Sequence, residues 1–406
     1  MTQKFSTPVR ERLRSLVRRV LNLQTAGAFS AASGGSTVNI IYDPATKREV
    51  KTIHMNMLKE HREKLYREPD LRQLFLELTL RCNERCLHCG SWCSEPGGES
   101  AAGEALSVET YHRFLDKIKK DFDQRRMMLC ITGGEPLLRK EFFEIMDYAG
   151  KLGFSWGMTT NATLIDSGVA QRLKKAGMKT ISISIDGLPE THDRFRQTKG
   201  AYEKAMRGLN AILEEGGFQA VQVTTVVHHG NIGELDRLYE IMCGLDIDSW
   251  RVINMEPMGR ALTHPELMMT PDDYRRLFSF IREKRLRGMP VEYGCSHYLG
   301  MDYEHEVREW YFLCSAGIYV ASIAANGDIA ACLDIERRPE LMQGNILRDD
   351  FTEVWKKGFQ VFRRPLAERN EACMACPEKD FCAGDAHHSW DYDNDRPRLC
   401  FRNILF

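Results

Sequence analysis

Between residues 75 and 256 the chain alternates short β-rich runs with amphipathic helices. The strand-like runs are "FLELTL", "MMLCIT", "SWGMTTN", "TISISID", "AVQVTTVV" and "SWRVINMEP". Between them lie helical patterns such as "SVETYHRFLDKIKKDF", where Ser107 caps the start and Glu109 sits in the first turn. Short β-rich runs alternating with amphipathic helices argue for parallel βα units. Six strands are too few for a closed eight-stranded barrel. The expected fold is therefore α/β, an open partial (β/α)6 barrel over residues 71–262.

The remaining segments are smaller. Residues 1–70 read as a helical and hairpin-like preface. A capped helix begins at Thr7 and Pro8, "AGAFSAASGGS" is a small-residue linker, and "STVNIIYDPATKREVKTI" looks like two short strands around Asp43-Pro44. Residues 263–310 read as a bridging segment with a solvated basic helix, "DDYRRLFSFIREKRLRG". Residues 311–406 form a small cysteine-rich region, with "AGIYVASIAANGDIAAC" as a hairpin turned at Asn326-Gly327. A formal net charge of −1 gives no electrostatic case for nucleic-acid or membrane binding. No apolar run is long enough to span a bilayer, and no adequate apolar stretch for a secretory signal follows the N-terminal arginines. The expected location is the cytoplasm.

The 13 cysteines are grouped rather than scattered, and groups of thiols in a reducing compartment indicate metal before disulfides. "CNERCLHC" places Cys82, Cys86 and Cys89 just after the first strand, where barrel enzymes keep their chemistry. Three thiolates from one loop suit an iron–sulfur cluster with one iron left open. Zinc, with Cys93 as a fourth ligand, is the competing reading. Cys314 and Cys332 make a pair, and Cys373, Cys376, Cys382 and Cys400 fill the end of the chain. Cys130 and Cys243 read as buried small hydrophobes.

Later strand ends carry matching fragments. In "TGGEP", Gly133 and Gly134 permit close backbone approach and Glu135 supplies a carboxylate. "SISIDG" puts Ser184 and Asp186 at a strand end, and "HDRFR" adds Arg194 and Arg196, either able to clamp a carboxylate. Each fragment alone is weak; their order on successive strand ends is specific.

In that order the fragments resemble the radical S-adenosylmethionine (radical SAM) enzymes. "CNERCLHC" matches the family's Cys-x3-Cys-x2-Cys loop and "GGEP" its SAM-amine motif, with His88 where an aromatic residue is usual. The resemblance implies a [4Fe-4S] cluster on Cys82, Cys86 and Cys89, whose fourth iron takes the amino and carboxylate groups of SAM. It implies that Gly133, Gly134 and Glu135 line the methionyl amine and that Ser184 and Arg196 contact ribose or carboxylate. "EPMGRA" resembles the sixth-strand end that approaches adenine. The implied chemistry is reductive cleavage of SAM to a 5′-deoxyadenosyl radical that abstracts a substrate hydrogen.

The C-terminal spacing resembles the SPASM extension of radical SAM peptide and protein maturases. By that resemblance Cys373, Cys376, Cys382 and Cys400 hold one auxiliary iron–sulfur cluster. A second would use Cys314, Cys332, an upstream thiol such as Cys295, and a position where this chain has Ala386. Asp385, His387 or His388 could replace the missing thiol, the position could be open to substrate, or the second cluster could be absent. No catalytic residue beyond these groups is legible.

The function this implies is modification of a ribosomally synthesised peptide or small protein, by crosslinking, epimerisation or oxidation. An electron donor such as a flavodoxin or ferredoxin is expected. A formylglycine-forming sulfatase maturase and a small-molecule radical SAM dehydrogenase are alternatives. An iron–sulfur or zinc scaffold without enzymatic activity is a further one, but it would need no SAM pocket.

Overall fold

A computed structural model describes residues 44–91, 93, 106–285, 290–295, 297–300, 303–308 and 312–405. Two compact units are distinguished, Met1–Ile53 and His54–Phe406; apart from the helix Pro44–Arg67, which begins in the first, the account below concerns the second. The helix expected near Thr7 and the linker at 26–36 lie outside the described residues. The expected hairpin is corrected where it can be seen: Pro44–Arg67 is one helix, α1. Pro44 occupies a first-turn position, where its missing N–H costs nothing, and the following Lys, Arg, Glu and Met residues favour helix.

The six anticipated strands are present as β1 (Gln73–Glu77), β2 (Met128–Thr132), β3 (Ser155–Thr160), β4 (Met178–Ser184), β5 (Ala220–Val227) and β6 (Ser249–Asn254). All pair in parallel with the next. The helices between them are α2 (Val108–Asp121), α3 (Phe142–Lys151), α4 (Ser167–Lys175), a short α5 (Pro189–Arg196), α6 (Ala201–Glu215) and α7 (Leu235–Cys243). Ser107 caps α2 by accepting from the Thr110 N–H at 3.2 Å. Helical Leu115, Ile118, Ile145, Leu173, Leu209, Ile212 and Leu238 bury against strand residues such as Leu74, Leu129, Ile181 and Val223.

The sheet does not stop at six strands. α8 (Pro271–Arg285) leads into β7 (Val291–Tyr293), which pairs in parallel with β6. α8 is a core helix rather than a solvated one, because Tyr274, Leu277, Phe278 and Ile281 form a buried stripe at helical spacing. At the other edge β8 (Val320–Ile323) pairs in parallel with β1, then antiparallel with β9 (Asp328–Ala330), which pairs with β10 (Gly344–Asn345). The expected hairpin at Asn326-Gly327 is present, but it also continues the barrel sheet. The complete sheet has ten strands, ordered β10-β9-β8-β1-β2-β3-β4-β5-β6-β7. Among the described residues no helix is long and apolar enough to cross a membrane.

Candidate iron–sulfur and SAM site

The cysteine loop that leaves β1 is pinned by the ends of three other strands. After β2, the Gly134 N–H donates to the Thr79 carbonyl at 2.7 Å and the Glu135 N–H to the Arg81 carbonyl at 2.8 Å. A Cβ at Gly133 would lie 2.4 Å from the Thr79 oxygen, and one at Gly134 only 2.1 Å from that of Arg81. Only glycine permits this approach. After β4, the carbonyls of Phe195 and Arg196 accept from the N–H groups of Leu87 and Arg85 at 3.0 and 3.2 Å. After β6, Arg260 donates from its backbone N–H to Cys89, from Nε to Cys86 and from Nη1 to Cys93, all to carbonyls, at 3.1, 2.9 and 2.8 Å.

The thiols of this loop differ in their protonation. Burial pushes Cys82 up to about 11 and Cys86 further up. Cys89 is held down to about 5, chiefly by a hydrogen bond from the Cys93 thiol, with the Arg260 charge assisting against burial. Cys93 is thus a neighbour that stabilises a thiolate in this loop. Three clustered sulfur donors at the C-terminal end of a barrel strand fit a site-differentiated iron–sulfur cluster.

Glu135 does not face open space. Thr160 Oγ1 donates to its carboxylate at 2.9 Å, the Asn161 N–H at 2.9 Å and the Leu137 N–H at 3.3 Å. Burial raises its pKa to about 7 despite these bonds. Arg196 is buried between two acids: Nη2 lies 2.6 Å from Asp186 and Nη1 donates to Glu84 at 3.0 Å. Ser184 ends β4, in register with Thr224 of β5, and is half-buried. Arg194 is exposed on α5, and its carbonyl accepts from the Gln197 N–H at 3.2 Å and Nε2 at 2.6 Å. His88, Phe195 and His228 stack face to face, with ring centroids 4.5 and 4.3 Å apart. Burial first of all lowers His88 to about 3 and His228 to about 4, so both rings are neutral. Glu84 Oε1, His88 Nδ1 and His228 Nε2 are buried with no hydrogen-bond partner among the described residues. These unmet polar atoms suit a polar cofactor lying beside the cysteine loop.

The second group of thiols is built by tight local turns. Asn370 accepts from the Cys373 N–H at 2.9 Å, and the chain turns after Cys382 through left-handed Ala383, Gly384 and Asp385. Burial raises Cys373, and the neighbouring Cys400 and Cys376 raise it further; Cys382 is raised by burial, Asp385 and Cys400. The four sulfurs are therefore electrostatic neighbours, and no disulfide pairs them. Arg402 Nη1 donates to the Cys376 sulfur at 3.3 Å. From α1, Arg62 donates to the carbonyls of Phe381 and Asp380 at 2.8 and 2.5 Å. A four-thiolate nest with cationic donors fits a four-cysteine cluster.

The described residues do not fit a second auxiliary cluster in the same way. Cys314 and Cys332 bring two thiols. Ala386 is fully buried in an apolar cluster with Tyr298 and Phe312, against which Cys314, Phe381 and Cys382 pack. Asp385 accepts from the Tyr298 N–H at 2.7 Å and pairs with His297 at 2.6 Å. His387 Nδ1 is bonded to the Tyr392 hydroxyl at 2.6 Å. His388 faces Glu256 at 3.8 Å. Cys295 points at the Asn254 carbonyl, 3.9 Å away. Sequence reasoning missed Glu84, Phe195, Arg260 and His297. The first three lie inside the quoted motifs, so their proximity to the thiols was there to be noticed.

Residues 76–242 match the model of the Radical SAM superfamily, and residues 314–377 match the SPASM iron–sulfur cluster-binding domain. The AdoMet-dependent heme synthase of Methanosarcina barkeri is 28% identical over 350 residues, 80% of this chain and 95% of that protein. The mycofactocin maturase MftC of Mycobacterium tuberculosis is 30% identical over 314 residues, 76% of each chain. Streptococcus suis SuiB bound to its precursor peptide SuiA superposes with a TM-score of 0.62 at 17% identity, over 94% of this chain and 86% of that one.

Proposed function

Because the chain belongs to the radical SAM superfamily and carries a SPASM-type iron–sulfur domain, we propose that it is an oxidoreductase that modifies a peptide or small protein. The observation that carries this reading is the pairing of β8 with β1, which builds the four-thiol region onto the strand that presents Cys82, Cys86 and Cys89. In such a frame Cys82, Cys86 and Cys89 would hold the cluster that supplies radical chemistry, and Cys373, Cys376, Cys382 and Cys400 would hold one that could supply redox capacity. A [4Fe-4S] cluster with SAM supplies the initiating radical in this family, and auxiliary iron–sulfur centres accompany it. This chain's own residues hold the cysteine loop through Arg260, Gly133 and Gly134, and keep Glu84 and Asp186 paired to the single cation of Arg196 beneath it. Burial of the His88–Phe195–His228 stack excludes water from one wall.

A peptide substrate is supported by the likeness to SuiB, whose structure contains a precursor peptide. A second reading is supported by the heme synthase that this chain matches over 95% of that protein's length: a tetrapyrrole substrate. The test is anaerobic turnover of the reconstituted enzyme with SAM and reductant, offering separately a short peptide encoded beside the gene and an iron porphyrin. A mass change in the peptide supports the first reading. A change confined to the porphyrin overturns it in favour of the second. The natural electron donor we propose is a flavodoxin or ferredoxin, and the compartment the cytoplasm.

A further inference from the structure

β6 and β7 are adjacent, in register from Trp250–Val291 to Val252–Tyr293. The chain leaves β6 through Glu256 and β7 through His297. Both positions lie past the C-terminal ends of parallel strands, where a barrel of this kind places reactive groups. The cysteine-rich region adds His388. One donor atom from each of the three lies within 4.8 Å of the others.

The arrangement around these donors is ordered. His297 is fully buried; its Nδ1 lies 2.6 Å from Asp385 Oδ2 and its Nε2 lies 2.6 Å from Glu256 Oε1. Asp385 is itself fixed by the Tyr298 N–H at 2.7 Å and the Ser389 hydroxyl at 3.2 Å. A carboxylate behind one imidazole nitrogen turns the other nitrogen toward a metal and raises its basicity. Asn254 Nδ2 donates to Glu256 Oε1 at 2.9 Å. Glu256 Oε2, by contrast, is buried with no hydrogen-bond partner among the described residues. A buried carboxylate oxygen left in this state calls for a cation.

The donor set is two imidazoles and one carboxylate, with no thiol. That combination disfavours calcium and magnesium, which take oxygen shells, and suits zinc or a neighbouring divalent ion. Three protein donors leave a position for water or a substrate oxygen. We propose that Glu256, His297 and His388 bind one zinc-class divalent cation, separate from the iron–sulfur centres, with Asp385 as the positioning residue behind His297. The competing occupant is a proton, which would make His297 an imidazolium bridging Glu256 and Asp385.

The test uses anaerobically reconstituted holoenzyme, stripped of loose metal and dialysed against zinc. The expected result is about one zinc per chain in addition to iron, with imidazole nitrogen and oxygen neighbours at about 2.0–2.1 Å by X-ray absorption. H388A and E256Q should lose this zinc while keeping wild-type iron content and circular dichroism. D385N should weaken zinc binding about 10–100-fold. H388A is the safer variant, because His388 lies at the rim whereas His297 is enclosed. Holoenzyme that retains no zinc, zinc with sulfur neighbours at about 2.3 Å, or equal retention by H388A would each overturn the proposal.

Discussion

Replacing Arg196 with Met tests whether the buried ion triad beneath the cysteine loop is as tightly coupled as its geometry implies. The guanidinium side chain is 8% exposed, and the side chains of its partners Glu84 and Asp186 are 0% exposed. Removing one member of a buried pair leaves an uncompensated charge, at a cost of about 3–5 kcal/mol. Here two carboxylates lose the same cation, so R196M is expected toward the upper end. In the wild type Asp186 is held below its usual range: burial alone would raise it, and the Arg196 charge together with smaller contributions, among them the Val226 N–H, outweighs this. Its stabilising contribution is therefore complete above the unfolded value of about 3.9 and is lost as pH falls through the lower folded value. Glu84 is raised by burial even beside Arg196; without that charge both acids rise, and the variant loses stability as pH rises. The deficit should be widest near neutrality and narrow toward about pH 5. Anaerobic urea unfolding followed by far-ultraviolet circular dichroism at both pH values reads this directly. Adding Glu84→Gln to R196M removes one orphaned charge and should restore part of the loss. A deficit under about 1 kcal/mol, or one independent of pH, would refute the reasoning.

Gly134→Ala should displace the cysteine loop, because its Cβ would fall 2.1 Å from the Arg81 carbonyl oxygen; the expected readout is loss of the SAM-responsive electron paramagnetic resonance signal with the C-terminal cluster retained. Wild-type protein should hold about eight irons per chain, falling to about four in a Cys82/Cys86/Cys89→Ala variant, since the described residues fit one auxiliary cluster; about twelve irons would restore a second. Glu135, raised by burial to about 7, binds a proton more tightly folded than unfolded, so it costs stability as pH rises from its unfolded value through 7. Glu135→Gln should flatten that part of the stability–pH curve, measured by the same unfolding assay.

The barrel strands were legible because parallel, doubly buried strands read as near-continuous apolar runs bounded by helix caps. The cysteine loop and the C-terminal nest were legible because their thiols are close in sequence. What escaped was long-range. β8 reads as a local hairpin strand, and nothing in "YVASIA" announces that its other edge pairs with Leu74 and Leu76, 247 residues earlier. α8 looked basic because five of its residues, counted over Pro271–Arg285, are Arg or Lys, while its buried Tyr274–Leu277–Phe278–Ile281 stripe was the stronger signal. The motif glycines also pack against the Thr79 and Arg81 carbonyls, a close approach within the protein that their sequence does not announce. Ala386 marks the same limit, since a missing thiol shows in sequence but the Tyr298 and Phe312 rings that fill around it do not.

The pairing of β8 with β1 also bears on how this chain can be cut or recombined. Residues 73–76 and 320–323 are sheet partners, residue for residue. A truncation before residue 311 would strip β1 of one neighbour and leave an open, apolar strand edge, a template for aggregation. A chimaera that exchanges the cysteine-rich tail must therefore carry over a strand able to anneal to β1. The practical unit of inheritance is the strand pair, and a shorter version of this protein is expected to be insoluble before it is inactive.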